Sequence, residues 1–242
     1  MSKHNNIGID KKMDWNRVRH LMKIGLFASF LVLIGDMLLG WNVTNPNKNG
    51  WEKHFSKYLT LSDSRIFWAG FLGLIGIPIE GLCYFSIYRL IAPYSDKFAH
   101  LFRSGVLGYI AFGGCGVHVP CTSIMFFYKY IHKLSPDTSI NDTFKYGTYF
   151  LIPGTIAFSI FFFVQTYAHI LAFSKGLTPY PKWCWIFCIP VGMLITIIPA
   201  LIINYYKEFA LINALTTGNI SIGNIWMFGG LLLFMNKVKK NQ

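Results

Sequence analysis

The sequence predicts an all-α membrane bundle of six transmembrane helices with both termini cytoplasmic, and three observations carry that expectation. Hydrophobic residues make up 53% of the 242 and charged residues only 13%, with a positive mean hydropathy of +0.42, which lies outside the composition of soluble domains. Six apolar runs, at 24–41, 66–88, 104–128, 146–174, 183–206 and 209–236, each approach or exceed the roughly 18 to 20 residues that cross a hydrocarbon core. With the N-terminus placed inside, fourteen of the 22 Lys and Arg residues fall on the inner segments and eight on the outer ones, the asymmetry that marks cytoplasmic loops. The runs lack the alternating period of barrel strands, so helices are the spanning solution that remains.

Along the chain, residues 1–23 form a basic segment in which Trp15, Val18 and Met22 recur at helical spacing, predicting a short helix on the inner interface. The first run reads as a retained helix, because Gly35, Asp36 and Gly40 interrupt the place where a signal-peptide cleavage site would stand. After the turn-prone stretch 45–50, Trp51, Phe55, Tyr58 and Leu59 share a helix face and predict an interfacial cap over the outer mouth. Glycines at 70, 73 and 76 and at 105, 108, 113, 114 and 116 allow the second and third spans to approach closely. Pro78, Pro120, Pro153, Pro190 and Pro199 fall inside four of the runs and predict kinked helices around a central space. In the last run, Thr216-Thr217-Gly218-Asn219 interrupts the apolar pattern and predicts either a broken or re-entrant outer half or a short outer loop that dips into the interface. The six-helix domain spans 24–236, and 237–242 is a basic cytoplasmic tail.

Asp36 and Glu80 are the only two of the 32 charged residues that fall inside the apolar runs. A charge at that depth is expensive and is retained for a reason. A rise of about 1.5 Å per residue from the inner flank places Asp36, His118 and Asn224 at roughly 18 to 21 Å. The same rise places Glu80 and His169 at roughly 8 to 9 Å, with Gln165 slightly above. Two polar layers follow, and Glu80, Asp36, His118, Asn224, Gln165 and His169 are the candidate ligand-binding residues. For Glu80, function is weighed against a neutral acid bonded to a carbonyl released by Pro78. For Asp36, it is weighed against a capping contact with outer lysines.

Cys115, His118 and Cys121, three residues apart, are plausible zinc ligands by type. They lack a fourth partner and fit no established zinc spacing, so no metal and no cofactor is assigned. Five cysteines all lie in apolar runs, which points away from a disulfide framework. No phosphate-binding glycine loop, nucleophile elbow or zinc-protease helix is present. The net charge of +12 is dispersed over every loop, so nucleic acid is not the expected partner and anionic lipid headgroups are.

The strings over 76–90, 113–121, 176–187 (GLTPYPKWCWIF) and 214–230 (ALTTGNISIGNIWMFGG) together resemble an uncharacterised family of bacterial multi-pass membrane proteins, a domain of unknown function. The resemblance covers the chain from Asp36 onward and implies a protein of the bacterial cytoplasmic membrane without implying an activity. The residues themselves point to a polar intramembrane cavity that binds or moves a small or lipophilic ligand, with proton coupling. Two other readings stand beside it: an intramembrane acid–base enzyme in which Glu80 and His118 act on a lipid-like substrate, and a structural or partner-binding membrane protein. No oligomeric state follows from the sequence.

Overall fold

The computed structural model describes residues 13–240. The stretch 1–12 of the expected N-terminal segment and the last two residues of the tail lie outside the described residues.

Helix α1 (Trp15–Gly40) opens on Asp14, whose side chain accepts from the Arg17 amide, and runs for 26 residues. The expected interfacial helix is therefore the first turns of α1 itself: Val18 and Met22 are fully buried, because they pack into the inner end of the bundle. Helix α2 (Gly50–Leu59) follows and buries Phe55 against Tyr128 and Phe144. Its aromatic face thus covers the outer ends of the neighbouring helices. Helix α3 (Asp63–Cys83) starts at a Ser62 cap and contains Pro78, and after Tyr84 the chain continues as α4 (Phe85–Ile91). The Arg65 guanidinium donates to the carbonyls of Leu38 and Trp41, satisfying orphan acceptors at the end of α1.

Helix α5 (Asp96–Phe112) passes through a π-helical turn at Gly113–His118 into α6 (Val119–Leu134). Pro120 lacks an N–H, and its ring would press on the carbonyl four residues back. The turn widens instead, and the Val119 amide donates to Gly114 O. The widened turn is met closely at Gly154, where an added Cβ would lie 2.0 Å from the Gly116 carbonyl oxygen. Helix α7 (Ser139–Phe150) leads into α8 (Ile152–Ser174). Then a 3-10 segment (Lys182–Ile186) precedes α9 (Ile189–Tyr206), α10 (Ala210–Thr217) and α11 (Asn219–Lys240).

Among the described residues, four helical stretches are long and apolar enough to cross a membrane: Trp15–Gly40, Asp63–Ile91, Asp96–Leu134 and Ile152–Ser174. Helices α10 and α11, bent by 65° at their junction, make a fifth when taken as one span, and the break falls where Gly218 interrupts the sequence pattern. The expected continuous span over 183–206 takes a different form. Pro179, Pro181 and Pro190 hold the chain out of a regular helix up to Cys188. This irregular stretch is covered by α11: Tyr180 donates to Leu231 O at 2.9 Å and Trp226 donates to Ile186 O at 2.8 Å. Irregular backbone at such depth is tolerated where protein covers it.

The expectation of kinks at five prolines is also revised. Pro153 and Pro190 occupy the first turn of a helix, where a missing N–H costs nothing, Pro120 is accommodated by the π-helical turn before it, and Pro78 and Pro199 sit inside helices. As expected, glycines join the second and third runs, with Gly70 and Gly73 meeting Thr122 and His118 and Gly113 meeting Ile77, and other glycines receive further partners. Gly76 receives Val32 of α1, while Gly105 and Gly108 receive Gln165 and Phe161 of α8. The start of α1 meets the end of α11 where Arg19 donates to Asn236, so both ends of the bundle chain lie on one side. The core runs between these helices, from Val18 and Met22 through Tyr84, Tyr109 and Phe158 to Phe228 and Met235.

Candidate functional site

The two carboxylates of the apolar runs, Asp36 and Glu80, face the interior. Asp36, near the end of α1, accepts a hydrogen bond from Ser221 of α11 at 2.8 Å and lies 3.6 Å from His118 Nδ1. The other imidazole nitrogen, Nε2, stands 2.9 Å from the carbonyl of Ala69. A carbonyl oxygen only accepts, so Nε2 carries the hydrogen. The ring has space because residue 73 is glycine: a Cβ there would fall 2.1 Å from it.

These three side chains line a cavity of about 210 Å³, whose other walls include Val32, Ile77, Tyr109, Val117 and Phe158. The side chains of His118 and Asp36 keep 10% and 13% of their surface accessible, so the cavity reaches both. A carboxylate and an imidazole on a mostly apolar wall are the pattern of a site that orients one polar group of a ligand.

A second polar group lies one helical turn along α11. Glu80 is fully buried, and Tyr109 of α5 donates to its Oε2 at 2.9 Å. Tyr84 donates to Asn224 Oδ1 at 2.6 Å, and the Asn224 amide donates to the Tyr109 hydroxyl at 3.4 Å. Ser29 of α1 stands beside the carboxylate while its hydroxyl donates to Gly25 O. Glu80 does not line the larger cavity and reaches it only through Tyr109.

Gln165 and His169 belong to a third group. Gln165 Oε1, Thr166 Oγ1 and His169 Nε2 make no hydrogen bond to described residues and line, with Tyr84, a void of about 10 Å³. His169 stacks on Phe173 at 4.5 Å between ring centroids.

The expected layers are thus redrawn. Asp36 and His118 do meet, but Asn224 joins Glu80, and Ser221 takes the place expected for it, because α11 begins only after the bend at Gly218. Among the described residues no hydrogen bond or ring contact joins Glu80 to His169. Sequence reasoning missed Ser221, Tyr84 and Tyr109. Two of these carried a signal: Ser221 precedes Asn224 by three residues and Tyr84 follows Glu80 by four, the spacings that place side chains on one helix face. The arc of Cys115, His118 and Cys121 does not converge, since Cys115 is exposed and Cys121 half-buried. The wider π turn separates residues that an α-helix would align. No cluster of three metal-ligating side chains occurs among the described residues.

The model of a family of unknown function, DUF6796, matches residues 7–238. The chain belongs to the DUF6796 family. Neither a curated protein nor a solved structure matches it. In this DUF6796 protein the long apolar helices fit an integral membrane protein, and the residues gathered at its centre supply the functional argument.

Near the end of α1, a polar clasp joins the loop after α9 to the loop after α1. Glu208, in the loop between α9 and α10, accepts from the Thr44 hydroxyl at 2.6 Å, from the Thr44 amide and from Asn213 at 2.7 Å. Partial burial pushes this carboxyl up, but the hydrogen bonds from Thr44 and Asn213 outweigh it and hold the group below its ordinary value.

Proposed function

We propose that this protein crosses the bacterial cytoplasmic membrane six times with both termini cytoplasmic, and that it binds a small or lipophilic molecule in the cavity beside Asp36 and His118, coupling binding to proton exchange. The observation that carries the reading is the 3.6 Å Asp36–His118 pair on the wall of a mostly apolar 210 Å³ cavity. A closed structural network would spend such a pair in solid packing. Here it borders open space, where a ligand's polar group replaces the interaction lost on leaving water. Six passes are supported by the irregular 3-10 segment and α9, which together continue the path that α8 leaves. The excess of Lys and Arg on the inner segments supports the orientation and a contact with anionic headgroups.

Cavity filling tests the proposal. Mass spectrometry of small molecules retained by the protein in mild detergent is expected to find a species with the natural chain that is absent from Val117→Phe. Recovery of the same species in equal amount from both proteins overturns the reading. A second reading, an acid–base enzyme acting on a lipid-like substrate, is supported by the same pair, because a carboxylate and an imidazole can pass a proton between them. In that form Asp36 replaces Glu80 as the partner of His118. Turnover of extracted lipids by the natural protein and not by His118→Gln separates it from binding alone.

A further inference from the structure

The polar groups on the cavity wall are nearly all acceptors. Ser221 spends its hydroxyl hydrogen on Asp36, Thr217 spends its own on Asn213 O at 2.8 Å, and Tyr109 spends its own on Glu80. The Nε2 hydrogen of His118 is committed to Ala69 O. What faces the cavity is then Asp36 Oδ1, the Nδ1 lone pair of a neutral His118, and hydroxyl lone pairs. The other lining residues are apolar apart from Cys121 and Met125, whose sulfur groups are weak partners. Oδ1 and Nδ1 stand 3.6 Å apart, and two acceptors at that distance repel unless a proton belongs to one of them. A donor that reaches both would satisfy the pair equally well.

We infer that the cavity takes a small lipophilic amine, bound as its ammonium ion against Asp36 and His118, in exchange for the proton that the pair otherwise holds. The inference rests on the cavity-binding reading and names its ligand class. An ammonium group offers several N–H donors and one positive charge to a wall with acceptors and one carboxylate. The Tyr109 and Phe158 rings on the same wall suit a cation as well as a hydrocarbon body. The volume of about 210 Å³ is below that of pockets for drug-sized ligands and fits a single ring or a short branched chain.

The exchange balances without any bond to carbon being made or broken. The amine arrives protonated, the pair's one proton leaves to water, and the pair is left with Asp36 ionised and His118 neutral with its hydrogen on Nε2. The site is electrically neutral before and after. The titratable groups facing the pair are Cys121 from α6 and Tyr109 from α5, with Glu80 of α3 behind Tyr109. The facing residues of α8, α10 and α11 are Phe158, Thr217, Ile220 and Ser221, none of them charged.

Three probes with one ring and different polar ends test the inference on the full chain in lipid nanodiscs: benzylamine, benzyl alcohol and benzoate. Calorimetry is expected to show benzylamine binding at least about tenfold tighter than benzyl alcohol, a difference of about 1.4 kcal/mol, with benzoate weakest. Benzylamine binding should release protons, read from two buffers of different ionisation enthalpy, and should tighten as pH rises toward neutrality. Asp36→Asn should lower benzylamine to the level of benzyl alcohol while leaving the alcohol bound, which shows that the cavity survives, and Asp36→Glu should restore the preference. Benzyl alcohol binding as tightly as benzylamine, or amine binding without proton release, overturns the amine inference alone. Failure of all three probes to bind overturns the cavity reading with it.

Discussion

Two polar clusters, one turn apart on α11, are built from similar groups and stand in opposite conditions. Around Asp36, a carboxylate, an imidazole and a hydroxyl border a cavity of about 210 Å³. Around Glu80, a carboxylate, two tyrosine hydroxyls and an amide are enclosed with no accessible surface. The difference shows that an intramembrane acid is not a site by virtue of its depth. In the inner cluster the two hydroxyls, the amide and Glu80 Oε2 hold one another, while Glu80 Oε1 has no partner among the described residues, so removing one group leaves others unpaired in an apolar interior. In the outer cluster the pair has room beside it, so its occupant can change without dismantling the fold.

The largest expected effect breaks this comparison directly. Glu80→Leu strips the acceptor from Tyr109 and should cost about 2 kcal/mol of stability, whereas Asp36→Leu should cost less than about 1 kcal/mol, because Ser221 can turn to a helix carbonyl. Thermal unfolding in one detergent measures both. Equal losses would make the outer pair as structural as the inner one.

A smaller effect sharpens the comparison. Gly73→Ala places a Cβ where the His118 ring lies, so the imidazole must swing from Ala69 O. Ligand binding in the outer cavity is expected to weaken about tenfold, near 1.4 kcal/mol, with the inner hydrogen bonds unaffected. An unchanged affinity would remove His118 from the site.

The smallest effect lies outside both clusters. Glu208 has its carboxyl lowered below the ordinary 4.5 in the folded state, so its contribution is fully present above that pH. It is lost as pH falls through the lower, folded value. The melting temperature of the natural protein should therefore fall in that acid range more than that of Glu208→Gln, while the two run parallel near neutrality. An identical acid limb in both proteins would show that the clasp to Thr44 adds nothing.

Much of this was legible in the chain. The apolar runs reveal the helices, and Thr216 to Asn219 reveals the break before α11, because local composition decides whether a backbone can stay helical. Asp36, Glu80 and His118 announce themselves because ionisable groups are costly among apolar ones. The pairing was less legible. Counting residues from a flank assumes straight helices, and the bend between α10 and α11 and the π turn at Gly113–His118 both break that assumption. Tyr109 looks like ordinary apolar bulk until its hydroxyl is seen to join Glu80 and Asn224.

The sequence by itself determined a helical class, several bilayer-length segments and two acids that must be accommodated inside, since hydropathy and the cost of burying charge are properties of residues and short windows. Only the tertiary structure decided which acid has a cavity and which is sealed. That outcome depends on where helices far apart in the chain cross: α11 sets Ser221 beside Asp36 and Asn224 beside Tyr84, and Gly73 leaves room for His118. Each contact joins residues more than 40 positions apart, and no local pattern encodes the space left between them.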